Sequence, residues 1–213
     1  MKKRVYSIVL SEEVVDAIDD LALTRNTSRS GIIDRILAEH VSCTTPEQHI
    51  QDIIKLVELS LAGRDTLHPL PRPTGGTLDI STRLKYRYRP TVKYSLELLP
   101  SADGSFGFFR ASLRTQNVDL LEKFTEFLLL WARLEDEYLP GLLGRQIIRE
   151  LEPAKLSRRL TRPPGCENAA ESLAAAAVAY VNAFDGSLKA FFAYGTDAAG
   201  NVFLNWLEDK LLI

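Results

Sequence analysis

The segment Arg4-Val5-Tyr6-Ser7-Ile8-Val9-Leu10 alternates with period two, placing Tyr6, Ile8 and Leu10 on one face and Val5, Ser7 and Val9 on the other. Such alternation predicts a β-strand with one buried face. The next residues change period. Ser11 stands at an N-cap position, and Glu12 and Glu13 fall in the first turn, where carboxylates meet the positive end of a helix dipole. Val14, Val15, Ile18, Leu21 and Ala22 recur at helical spacing, which predicts a helix over about residues 12–24, broken by Asn26. Ser28, in the turn Asn26-Thr27-Ser28-Arg29-Ser30, then caps a second helix with the stripe Ile32, Ile33, Ile36, Leu37, His40 and Val41.

A strand and two short helices within about 40 residues cannot bury a core alone. A single strand also leaves its backbone groups without partners. Both difficulties vanish if two copies pair their strands antiparallel and stack two helix pairs over one face. The expectation is therefore an obligate homodimer with Tyr6, Ile8 and Leu10 in the shared core.

On these residues, roughly 2–42, the chain resembles the ribbon-helix-helix DNA-binding superfamily of the Arc, MetJ and CopG type. The resemblance rests on the alternating strand, the Leu10-Ser11-Glu12-Glu13 junction, and the Thr27-Ser28-Arg29-Ser30 turn before Ile32-Ile33. It implies a two-stranded ribbon in the major groove of double-stranded DNA. Carried over by position, Lys3, Val5, Ser7 and Val9 are the base-contact candidates. Ser28, Arg29 and Ser30 would hold phosphate at a helix N-terminus, and Lys2 and Arg4 would add phosphate contacts from the basic arm. The family usually carries longer polar side chains in the groove. Val5 and Val9 can only touch thymine methyls, while Ser7 can bond to several base edges, so modest base discrimination is expected.

Charge sets a limit on this picture. The 213-residue chain has a formal net charge of -2, and its first 42 residues carry six basic and seven acidic side chains. Any nucleic-acid contact must therefore come from a local patch. Two isolated cysteines, Cys43 and Cys166, suit a reducing compartment. No secretory or membrane-spanning pattern occurs, and a cytoplasmic location without membrane contact is expected.

Beyond the N-terminal module the expected class is α+β: residues 1–44 form the module, and residues 45–213 a larger, mostly helical regulatory or oligomerisation domain with a small antiparallel β-meander. The boundary is placed between about 42 and 77. Thr45, Pro46 and Gln48 form a capping pattern for a helix with Ile50, Ile53, Ile54, Val57 and Leu61 on one stripe. Residues 63–77, rich in proline and glycine, read as loop. The meander is expected from Leu78 to Thr115, with strands through Leu84, Tyr86 and Tyr88 and through Val92 to Leu98, a turn at 101–104, and a return strand over Phe106–Leu113. Asn117 should cap a long helix that Pro140 interrupts. A shorter helix through Leu142 to Leu151 follows, then the basic segment Lys155–Arg162 and a break at Pro163-Pro164-Gly165. Further helices are expected over 168–184, 186–194 and 200–212.

Arg83, Lys85, Arg87, Arg89 and Lys93 form a candidate second basic surface, interleaved with tyrosines. One reading is a further contact for nucleic acid or an acidic ligand. The other is the solvated outer face of a half-buried sheet, its cations protecting an edge. His40, Cys43 and His49 lie close in sequence but on different elements, so no metal site and no cofactor is expected. The chain lacks P-loop, G-x-G-x-x-G, HExxH and G-x-S-x-G patterns, so it is not expected to be an enzyme. Glu135, Asp136 and Glu137 read as a solvated turn. The residues thus point to a homodimeric transcriptional regulator, a repressor, whose second domain takes a small-molecule effector or a protein partner. The alternative is an interaction protein, such as an antitoxin or a plasmid partition or mobilisation accessory factor, in which that domain captures another protein.

Overall fold

A computed structural model describes residues 5, 7–40, 45–63, 66–72, 75–99, 105–162, 169–209 and 213, and the chain divides into two compact units, Met1–His49 and Ile50–Ile213. The architecture is α+β. Among the described residues no helix is long and apolar enough to cross a membrane.

The first unit contains α1 (Glu12–Thr24) and α2 (Arg29–His40). Asn26 adopts the left-handed conformation at φ 49°, turning the chain between them. The helices meet through Ile18, Ala22 and Ile32, with Ile33 beside them. Val5 and residues 7–10 precede α1 without regular structure, so the ordered elements begin with a helix where a strand was expected. The physical reason is local: a lone strand gains no ladder hydrogen bonds unless another strand pairs with it.

The second unit draws on most of α3 (Pro46–Leu61). The expected reciprocal cap is present: Thr45 N–H donates to Gln48 Oε1 at 3.0 Å, and Gln48 N–H donates to Thr45 Oγ1 at 3.1 Å. The unit's centre is a sheet of β1 (Leu67–Pro71), β2 (Thr77–Arg83), β3 (Thr91–Leu98), β4 (Ser105–Leu113), β5 (Arg149–Glu152) and β6 (Lys155–Thr161). The strand order is β1-β2-β3-β4-β6-β5, with every neighbouring pair antiparallel. The remaining helices are α4 (Val118–Leu143), α5 (Ala170–Tyr194) and α6 (Thr196–Glu208). Alternate residues of β2, β3 and β6 are buried and join α3 to α6 in one core.

This sheet corrects the expected small meander in a mostly helical domain. Leu67–Pro71, expected as loop, is an edge strand, where a proline's missing N–H costs no ladder bond. Helix α4 runs through Pro140, which falls in its last turn, to a left-handed Gly144. Residues 149–161, expected as a helix end and a basic segment, form the β5–β6 hairpin. Helix α5 continues unbroken to Tyr194, through the expected gap before residue 186. The expected turn at 101–104, the hinge at 42–44 and the break at 163–165 lie outside the described residues.

Candidate nucleic-acid interface

The second helix opens as its capping sequence suggests. Ser28 Oγ accepts from the Gly31 N–H at 3.2 Å, tying down one of the N–H groups that a helix start leaves outside the ladder. Ser28 Oγ also lies 3.3 Å from Ser30 Oγ, and both serines are exposed. Arg29 is held differently. Its Nε and Nη2 donate to the two carboxylate oxygens of Asp19 on α1, a fork-to-fork pair that ties the two helices together. The Asp19 bond and charge raise the Arg29 guanidinium above its ordinary pKa.

Val5, Ser7 and Val9 are exposed, the two valines fully. Ile8 and Leu10, expected in a dimer core, are 55% and 39% exposed within the single chain. Val14, Leu21, Ile36 and Leu37 are also exposed, beside the small buried cluster of Ile18, Ala22 and Ile32. Lys2, Lys3, Arg4 and Tyr6 lie outside the described residues.

The second basic cluster is split between the ends of β2 and β3 and the loop that joins them. β2 ends at Arg83, which pairs with Thr91, so residues 84–90 must reverse the chain. Leu84 N–H donates to Pro90 O at 3.0 Å and Arg89 N–H to Tyr86 O at 2.9 Å, closing the loop. Tyr88 and Arg89 take left-handed φ values of 63° and 46°. Leu84 is buried, and the Tyr86 ring meets Phe192 edge-on at 5.7 Å, anchoring the loop to α5. Arg83, Lys85, Arg87, Arg89 and Lys93 are all exposed, and so is Tyr88, at 98%. Alternation predicts an apolar face for Tyr88; the reversal turns it to solvent. Arg114, directly after β4, is an exposed cation at the same end of the sheet that sequence reasoning missed. Register was the missing signal, because Leu113 faces Val92 and so brings Arg114 level with Thr91.

A buried charge cluster corrects the reading of Glu135 as part of a solvated turn. Glu135 and Arg158 are both completely buried, with Arg158 Nε 2.7 Å from Glu135 Oε1. The Arg158 Nε–H is not aimed along that contact, so the attraction is electrostatic more than a directed hydrogen bond. The geometric bonds fall to the neighbours. Tyr180 O–H donates to Glu135 Oε1 at 2.9 Å, Arg149 Nη1 to Glu135 Oε2 at 3.3 Å, and Arg158 Nη2 to the Ile213 backbone oxygen at 2.5 Å. Burial, then the nearby Glu135 charge, pushes the Tyr180 hydroxyl well above the ordinary tyrosine pKa. Glu135 continues the α4 row Phe124, Leu128, Trp131, which in the sequence already marks it as core-facing. Two arginines and a phenol surround the carboxylate inside the core, while Arg158 Nε and Nη1 make no directed hydrogen bond there.

A groove of about 560 Å³ lies between α5 and α6, lined by Ala175, Val178, Asn182, Val202, Asn205 and Trp206 among others. Among the described residues, no three His, Cys, Asp or Glu side chains converge on a point where a metal could sit. No family model, curated protein or solved structure matches the chain.

Proposed function

We propose that the chain is a sequence-specific DNA-binding regulator, a repressor, acting as a homodimer through an N-terminal ribbon-helix-helix module. In this reading residues 4–10 of two copies pair as an antiparallel ribbon that enters the major groove. Ser7 is the polar base contact between Val5 and Val9, and the start of α2 holds phosphate.

The observation that carries the reading is the set of exposed apolar side chains in the first unit. A segment patterned as a strand leads into two helices joined by the small cluster Ile18, Ala22 and Ile32, leaving Ile8, Leu10, Val14, Leu21, Ile36 and Leu37 exposed. Pairing with a second copy would cover these side chains. Pairing two strands also satisfies backbone groups that the single chain leaves to water.

The test is selection of bound sequences from a random duplex pool, repeated across salt concentrations. The expected result is enrichment of short repeated half-sites, with affinity falling as salt rises and lost on Ser7→Ala. Absence of any enrichment at low salt contradicts the reading.

A further inference from the structure

We infer that the end of the sheet in the second unit binds single-stranded nucleic acid, with cations on the backbone phosphates and Tyr88 stacked on a base. The inference does not depend on how the first unit acts.

Charge is the first support. On the outer face of the sheet Asp79 is paired with Arg72, Glu97 with Arg110, and Glu152 with Lys155. Those pairs neutralise three acidic residues of the face and consume the cations beside them. Arg83, Lys85, Arg87, Arg89, Lys93 and Arg114 make none of these pairs, and all six are exposed. They fall together by topology. Arg83 ends β2 opposite Thr91, Lys93 lies on β3 between Ser81 and Ser112, Arg114 follows β4, and Lys85, Arg87 and Arg89 project from the connecting loop. Such a concentration on a chain of net charge -2 is a local positive field suited to a polyanion.

Tyr88 narrows the class. A tyrosine at φ 63° is in a conformation that bulky side chains avoid, yet its ring is 98% exposed and packs on nothing. The strain is stored in a loop held by two backbone hydrogen bonds and by Tyr86 on Phe192, so the ring is presented from a fixed base. An exposed aromatic amid phosphate-binding cations is the arrangement that single-stranded binders use, because every unpaired base offers a face to stack on. A duplex hides those faces, and an acidic peptide has none.

The experiment is fluorescence anisotropy of the full chain with a mixed-sequence oligonucleotide of about 20 nucleotides, as DNA and as RNA, titrated from about 50 to about 200 mM salt. Salt-sensitive binding of either strand is expected. Arg87→Ala with Arg89→Ala should flatten the slope of log affinity against log salt by about 1.4, since each phosphate left without its cation removes about 0.7. Tyr88→Asn keeps a residue that tolerates left-handed backbone and should weaken binding on the order of 10-fold. Tyr88→Phe should restore it. Arg133→Ala, which removes an exposed cation from α4, should have no effect, and circular dichroism of each variant should match the parent. No binding at low salt, or unchanged binding in both loop variants, overturns the inference. So does equal competition by polyglutamate, or preference for the duplex with no effect of Tyr88→Asn.

Discussion

Glu135 and Arg158 approach within 2.7 Å at zero solvent exposure, joining α4 to β6 inside the core of the second unit. Breaking one half of a buried pair leaves the other half charged and unpaired. Glu135→Leu should therefore destabilise the second unit by about 3–5 kcal/mol. The double change Glu135→Leu with Arg158→Met should recover a large part of that loss, because neither charge then needs a partner. Urea unfolding followed by tryptophan fluorescence reads both, since Trp131 donates to Tyr180 at 3.1 Å within the same network. A loss below about 1 kcal/mol in the single variant would show that the pair is not a structural tie.

Alkaline pH should loosen the same core. Burial, then the neighbouring carboxylate, raises Tyr94 beside Asp185 and Tyr180 beside Glu135 well above the ordinary value. Each phenol thus keeps its proton in the folded chain at a pH where the unfolded chain loses it. The folded state then binds more protons, so stability is fully present below about pH 10 and falls above it, by up to about 1.4 kcal/mol per pH unit for each tyrosine. Unfolding midpoints between about pH 8 and 11 measure the slope, and Tyr94→Phe should reduce it. A midpoint that holds constant through that range would contradict the assignment.

Gly107 should not tolerate a side chain. A Cβ there would fall 2.1 Å from the Glu97 carbonyl oxygen, at the register shift where β4 leaves its regular pairing with β6. Backbone on both sides must move to admit a methyl group, so Gly107→Ala should cost about 3 kcal/mol. Thermal unfolding checks this, and a wild-type midpoint would mean that β3 and β4 can separate at no cost.

How much of this was legible in the sequence depended on whether the signal was local. The helix starts at Ser28, Thr45 and Asn117 could be read because a cap sits within three residues of the N–H it serves, as in the Leu120 N–H to Asn117 Oδ1 bond of 2.9 Å. The turn at Asn26 and strands β3 and β4 were legible for similar reasons. β1 was hidden by its own prolines, which edge strands accept and central strands do not. The β5–β6 hairpin was hidden because buried Arg158 makes a polar gap in the apolar alternation, and only its distant partner Glu135 explains it. The basic cluster was found as a composition but placed on a strand, because alternation continues through Arg87 into a loop. In the first unit the helices were legible from one chain, whereas the expected strand is absent from the described residues before α1.

Asp19 and Arg29 set up a competition at the proposed DNA surface. Arg29 is paired with Asp19 across α1 and α2, so reaching a phosphate means exchanging one anion for another. Asp19→Ala should free the guanidinium and tighten duplex binding several-fold, while Arg29→Ala should weaken it and flatten its salt dependence by about 0.9 in log-log slope. Gel-shift titrations across salt separate the two. Equal loss of binding in both variants would mean that the pair serves only to hold the helices together.

The most direct test of the proposed dimeric ribbon is the mass and DNA affinity of the full chain and of Ile8→Asp, measured by sedimentation with and without the selected duplex. The wild-type chain should sediment as a dimer and load on DNA in even numbers of chains, whereas Ile8→Asp should be monomeric, retain a folded second unit and fail to bind the duplex. A wild-type monomer that binds DNA one chain at a time, or an Ile8→Asp variant that binds as well as the parent, would contradict it.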